Sequence, residues 1–267
     1  MYASTVRNLL VRGMLAGLIA ALFAFAVAYS LGEPQVDASI AVEEAAAAEE
    51  AAHAGHGGAA AEAEEEEELV SRAVQSTAGL GSGVLVYGVA LGGIASLAFC
   101  FLLGRLGRFT PRATAAITAA AAFTTVFLVP FLKYPATPPA VGNPDTIGKR
   151  TTLFFLMILL SVLLGIAATI AGRRLAPRLG NWNATLVAGA GFIAAVTIAF
   201  VFLPSNEDAV AKGFPAAVLW EFRLASLAVQ AVLWTVFGVA FGFLAQRLLT
   251  PRETTVPAAA EGAPTPA

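Results

Sequence analysis

The chain has 267 residues, of which 58% are apolar and only 13% charged, with a net charge of −2 and one cysteine, Cys100. Soluble domains carry nearer a quarter of charged residues, so a soluble fold is excluded. The single cysteine also excludes an internal disulfide framework, and the slightly negative balance offers no basic footprint for nucleic acid.

Six stretches contain no Asp, Glu, Lys, Arg or His: 13–31, 80–103, 113–132, 151–172, 184–203 and 224–245. At 1.5 Å per residue, about 20 residues cross a hydrocarbon core roughly 30 Å thick. Only helices or closed barrels satisfy their own backbone in lipid, and alternating strands are absent from the sequence. An all-α membrane protein with about six transmembrane helices is predicted.

The first helix falls within residues 1–32. Arg7 and Arg12 precede it, and Ala26-Val27-Ala28 has the small-residue pattern of a signal-peptide cleavage site. Its apolar run is long for a signal peptide and it fits the repeat described below, so it is read as a structural helix. Gly13 and Gly17 lie one turn apart on it, a device for close helix approach.

Residues 33–79 form the first long connection. Twelve of the 18 acidic residues lie between Glu33 and Glu68, and the only two histidines, His53 and His56, stand among them. Low-complexity Ala/Glu sequence of this kind is expected to be a largely disordered loop. Imidazole and carboxylate groups suit borderline divalent metals. His53, His56, Glu64, Glu65 and Glu66 are therefore a candidate capture site for Co²⁺, Ni²⁺ or Zn²⁺. The competing reading is a solvated acidic tract with two incidental histidines.

Residues 80–250 hold the other five helices. Gly88 and Gly92 in the second, like Gly238 and Gly242 in the sixth, are spaced for helix packing, and Cys100 reads as a packing residue. The third helix runs out through Pro130 into Lys133, Tyr134 and Pro135. Pro138, Pro139 and Pro144 follow, whose fixed φ angles predict a stiff extended surface. Lys133 and Tyr134 also suit membrane-interface anchoring. Gly142 to Thr151 resembles a phosphate-binding loop, but it has one residue too many between its glycines and Arg150 in place of Ser or Thr. Nucleotide binding is not expected. Gln230, with Trp234 one turn later, is a polar residue inside the sixth span, where an interhelical hydrogen bond would account for it. Residues 251–267 read as a disordered tail.

A repeat runs through these helices. Val86-Tyr87-Gly88-Val89-Ala90-Leu91-Gly92 matches Val236-Phe237-Gly238-Val239-Ala240-Phe241-Gly242, with a weaker copy at Leu163-Leu164-Gly165-Ile166-Ala167. Arg72, Arg150 and Arg223 stand 15 or 16 residues before the respective glycines, and the odd helices reach Pro34, Pro130 and Pro204. Three tandem helical hairpins of one orientation are predicted, against chance convergence of Gly/Ala-rich sequence. The three arginines sit where side chains snorkel to headgroups; Glu68 and Glu221 are near enough in sequence to pair with two of them.

Ten of the 16 basic residues (Arg7, Arg12, Arg105, Arg108, Arg112, Arg173, Arg174, Arg178, Arg247 and Arg252) fall at one set of helix ends. Short Arg-rich loops stay in the cytoplasm. A multi-pass protein of the inner (plasma) membrane with both termini cytoplasmic is expected. No carboxylate or histidine lies inside a span, so no enzyme activity or resident cofactor is expected.

The run Phe127-Leu128-Val129-Pro130-Phe131-Leu132-Lys133-Tyr134-Pro135-Ala136-Thr137-Pro138-Pro139-Ala140-Val141-Gly142 resembles the signature of the CbtA family of predicted cobalt transporter subunits. Glu68 to Gln75, Gly79-Leu80, Thr146-Ile147, Arg150-Thr151, Phe214-Pro215, Leu219, Phe222-Arg223, Ser226-Leu227 and Gln230 fit it too. The resemblance implies a membrane subunit of cobalt uptake linked to cobalamin synthesis. It further implies a small His-containing partner with one span, CbtB, and it leaves homo-oligomerisation open. On this reading Pro130, Lys133, Tyr134, Pro135, Arg72, Arg150, Glu221, Arg223 and Gln230 are the entrance and permeation candidates, and Co²⁺ is the cargo. The rival functions are transport of another small solute or a corrinoid, and a non-transporting scaffold or sensor.

Overall fold

The computed structural model describes residues 2–54, 70–139, 141, 146–206, 210 and 213–250, and contains no strand among them. Helix α1 (Ala3–Val27) passes through a π-helical turn at Ala28–Gly32 into α2 (Glu33–Ala54). A short α3 (Arg72–Val74) and a second π turn (Gln75–Gly79) lead into α4 (Leu80–Leu102). Next come α5 (Pro111–Ala122), a third π turn (Phe123–Leu128) and α6 (Val129–Lys133), then α7 (Ile147–Phe202) and α8 (Ala216–Leu249).

Two of the π turns have a local cause. A proline ring clashes with the carbonyl four residues back and supplies no N–H, so a helix that continues through it must widen or kink. The turns at Ala28–Gly32 and Phe123–Leu128 end just before Pro34 and Pro130. Within them Glu33 N–H reaches Ala28 O and Val129 N–H reaches Thr124 O, the five-residue spacing of a π turn. Pro204, by contrast, follows the last helical residues of α7 and the chain leaves the helix there.

Five helical runs are long and apolar enough to cross a membrane. One of them, α7, contains two of the expected six spans. Gly180 has φ 75° and ψ 160°, outside helical space, and Pro177 precedes it. Only glycine adopts such a conformation at little cost. The chain turns back there: a β-carbon placed on Gly172 would lie 3.1 Å from that of Ala188, and one on Gly165 would lie 4.0 Å from the Phe192 ring. Six crossings result, two of them as the limbs 147–179 and 181–202 of one hairpin.

α1 is the central helix. It lies along both α4 and α8, and α8 lies along α5. The buried core of Ala16, Ala20, Ala21, Ala24, Phe99, Leu233, Phe237 and Phe241 fills this four-helix group. A second, smaller core joins Val129 and Tyr134 to Leu153, Met157 and Val196 of the hairpin. The predicted hairpins are therefore realised unevenly. The first pairs α1 with α4, whereas the second limb of α7 lies on the first limb and barely touches α8.

Part of the expected loop is also corrected. Residues 33–54 are helical. Ala and Glu are among the strongest helix formers, and α2 grows directly out of α1, so no new nucleus is needed. Ser39 of α2 is fully buried against the Pro-rich segment, while from Glu43 onward the helix is exposed.

Candidate functional site

The entrance candidates gather at the end of the bundle that carries the Pro-rich segment. All three π turns lie in this half of their helices. Arg72 grips α2: its Nη2 pairs with Glu33 and, at 2.9 Å, with Asp37, while its Nε donates to Asp37 at 3.0 Å. Glu33 and Asp37 are one helical turn apart on the same face, so one guanidinium reaches both. Arg72 was expected to pair with Glu68, which lies outside the described residues. Its charge is offset by α2 instead.

Arg223 donates from Nε to the Ala136 carbonyl at 3.2 Å, and exposed Glu221 does not pair with it. Lys133 Nζ donates to the Phe200 carbonyl at 2.8 Å and the Tyr134 hydroxyl to the Pro204 carbonyl at 2.8 Å. Burial pushes the Tyr134 phenol up from its ordinary value, so it remains a protonated donor at neutral pH. Ser39 Oγ donates to the Pro139 carbonyl at 3.1 Å. Pro130 is fully buried, Pro135 half-buried, and Arg150 half-buried in the first turn of α7. The basic side chains Arg72, Lys133 and Arg223 thus fasten loops and helices together rather than forming an open cationic ring.

Deeper in the bundle, Gln230 lies beside Tyr87 of α4. Its Oε1 is nevertheless buried without a partner, as is Nε1 of Trp234 one turn away. Buried polar atoms left unpaired cost about 1–3 kcal/mol each, and in native proteins they mark a water, an ion or a functional need. Below them the core is closed by aromatic rings. Trp234 meets Phe237 edge-on at 6.2 Å, Phe237 stacks on Phe241 at 5.4 Å, and Phe99 meets Phe241 edge-on at 5.0 Å.

The metal-capture candidates are only partly in view. His53 lies in the last turn of α2; its side chain and the residues His56, Glu64, Glu65 and Glu66 lie outside the described residues. Among the described residues no three His, Cys, Asp or Glu side chains come together to hold a metal. α2 does expose Glu43, Glu44 and Glu49.

A family model described as probable cobalt transporter subunit (CbtA) matches residues 6–246. The chain belongs to the CbtA family. No curated protein and no solved structure matches it. The CbtA match covers all six crossings and the Pro-rich segment, so the fastened end and the Gln230–Trp234 pair both lie within the family's domain.

Sequence reasoning missed the partners Glu33 and Asp37 of Arg72, the neighbour Tyr87 of Gln230, and the Ser39 contact. The first was readable from the four-residue spacing once α2 is taken as a helix. The others depend on which helices become neighbours, which no local pattern states.

Proposed function

We propose that this CbtA-family chain is the main membrane-spanning subunit of a Co²⁺ uptake transporter in the plasma membrane, serving cobalamin synthesis and working with a small single-span, His-containing subunit. The observation that carries this reading is the family match across 6–246. The chemistry of the chain is compatible with it. The exposed carboxylates Glu43, Glu44 and Glu49 of α2, and His53, His56 and Glu64 to Glu66 in the sequence after them, suit capture of divalent cations, and the arginines at the opposite helix ends support an outward-facing Pro-rich end. Gln230 Oε1, buried without a partner, supplies a side-chain oxygen for the cation beside the aromatic ladder.

The test is cobalt accumulation in cells that lack this gene and its small neighbour, complemented with both, with this chain alone, or with Gln230→Leu. Uptake is expected from the pair, and a loss of tenfold or more from the Leu variant at unchanged protein level, since it removes a polar side chain from an otherwise apolar span. Equal cellular cobalt with and without the pair would end the proposal. One feature favours the second reading, a non-transporting scaffold: the centre of the bundle is filled by aromatic rings. Vesicles holding both subunits that admit no metal would support it. Reporter fusions that place the α2 tract in the cytosol would reverse the proposed direction.

A further inference from the structure

The opposite end of the bundle carries a site of another kind. A cavity of about 740 Å³ opens between α5 and α8. Small residues form its walls, among them Ala116, Ala120 and Gly238, with Phe123 and Trp234 at its deep end and Arg112 at its mouth. From Arg112 to Phe123 is eleven residues, roughly 16 Å along the helix, about half the hydrocarbon thickness. The groove is therefore as deep as one leaflet. Its lining side chains are apolar except for Arg112 at the mouth, Thr235 and the indole N–H of Trp234.

Arg112 at the mouth shares the Phe243 ring with a second cation, Arg247, just outside the lining. The Arg112 and Arg247 guanidinium carbons lie 5.5 and 4.1 Å from the centre of the same Phe243 ring. Among the described residues neither makes an ion pair, and every acidic residue in the described helices lies at the other end of the bundle. Two like charges held over one ring at headgroup level call for an anion.

We propose that this groove binds one anionic phospholipid, with its phosphate between Arg112 and Arg247 and an acyl chain lying along Ala116 and Ala120. Charge complementarity selects the headgroup, and the depth of the groove selects a lipid tail over a free ion.

The test uses the full-length chain in detergent, with phosphatidylglycerol and phosphatidylcholine of identical acyl chains as probes, followed by native mass spectrometry and thermal melting. Phosphatidylglycerol is expected to be retained about tenfold better, as two basic groups at a surface would give. Arg112→Gln with Arg247→Gln should reduce that preference to within about twofold, at the level of a neutral surface. Ala116→Leu with Ala120→Leu, both at exposed positions, should abolish retention of either lipid. Equal retention of both lipids by the native chain, or a preference that survives the double Arg change, would overturn the site. Stabilisation by inorganic phosphate equal to that by phosphatidylglycerol, or unchanged retention in the filled groove, would overturn the acyl-chain half of it.

Discussion

In the α1–α4 pair, glycine faces glycine: a β-carbon on Gly17 would lie 2.1 Å from the Gly88 carbonyl oxygen, and one on Gly92 would lie 2.3 Å from that of Gly13. In the second limb of the α7 hairpin, Gly189 and Gly191 face open space. The hairpin is the most apolar helical run in the molecule and also the least buried, with 11% of its apolar window covered against 28–33% elsewhere. In lipid an apolar side chain gains little by leaving the hydrocarbon for a neighbouring helix. Hydropathy therefore reports contact with lipid, while helix association follows small residues and polar contacts.

The hairpin is attached by the second means. Ser161, fully buried, donates its hydroxyl to the Thr125 carbonyl. Thr125 lies in the π turn before Pro130, and in that register its main-chain donor would be residue 130, which has no N–H. The proline thus exposes a carbonyl that a neighbouring helix can use. Lys133 and Tyr134 add two more contacts to carbonyls of the hairpin's end. One region is held by close backbone approach, the other by donors aimed at main-chain oxygens.

The sharpest way to break this contrast is to give each region the same bulky residue. Gly17→Leu forces backbone apart and is expected to cost about 3 kcal/mol or more, seen as a large fall in melting temperature and yield in detergent. Gly189→Leu meets nothing and should stay within about 0.5 kcal/mol of the native chain. Comparable losses from the two would mean that the hairpin is as tightly held as the α1–α4 pair.

Ser161→Ala addresses the polar attachment and should cost about 1–2 kcal/mol, because it leaves a buried carbonyl unpaired. Hydrogen exchange should speed up along residues 147–202 and stay unchanged along α1 and α4. A uniform increase across all helices would show that Ser161 supports the whole bundle rather than one module.

What the sequence revealed follows the same division. The spans were legible because missing charge is a one-dimensional property, and Gly13, Gly17, Gly88 and Gly92 were legible because helical spacing places them on one face. α2 was missed because a biased Ala/Glu composition was read as disorder, although both residues favour helix and α1 supplies the nucleus. The roles of Arg72 and Arg223 were hidden because their partners, Asp37 and the Ala136 carbonyl, lie 35 and 87 residues away. Tyr87 and Gln230 met for the same reason: α4 and α8 become neighbours only once α1 has brought them together.

A smaller effect than at Ser161 is expected at Tyr134, where the contrast can be refined with pH. Tyr134→Phe removes the donor on a buried ring and leaves the carbonyl of exposed Pro204 to water, a loss of about 1 kcal/mol or less. Burial raises the phenol above its ordinary value of about 10, so folding favours the neutral form. Its contribution is then complete below pH 10 and is lost as pH rises through the raised value. The stability gap between the native chain and Tyr134→Phe should be constant from pH 6 to 9 and should close only above 10. A gap that already narrows between pH 6 and 8 would mean that the hydroxyl acts through another titrating group, and the hairpin's end would then be fastened by more than hydrogen bonds to main-chain oxygen.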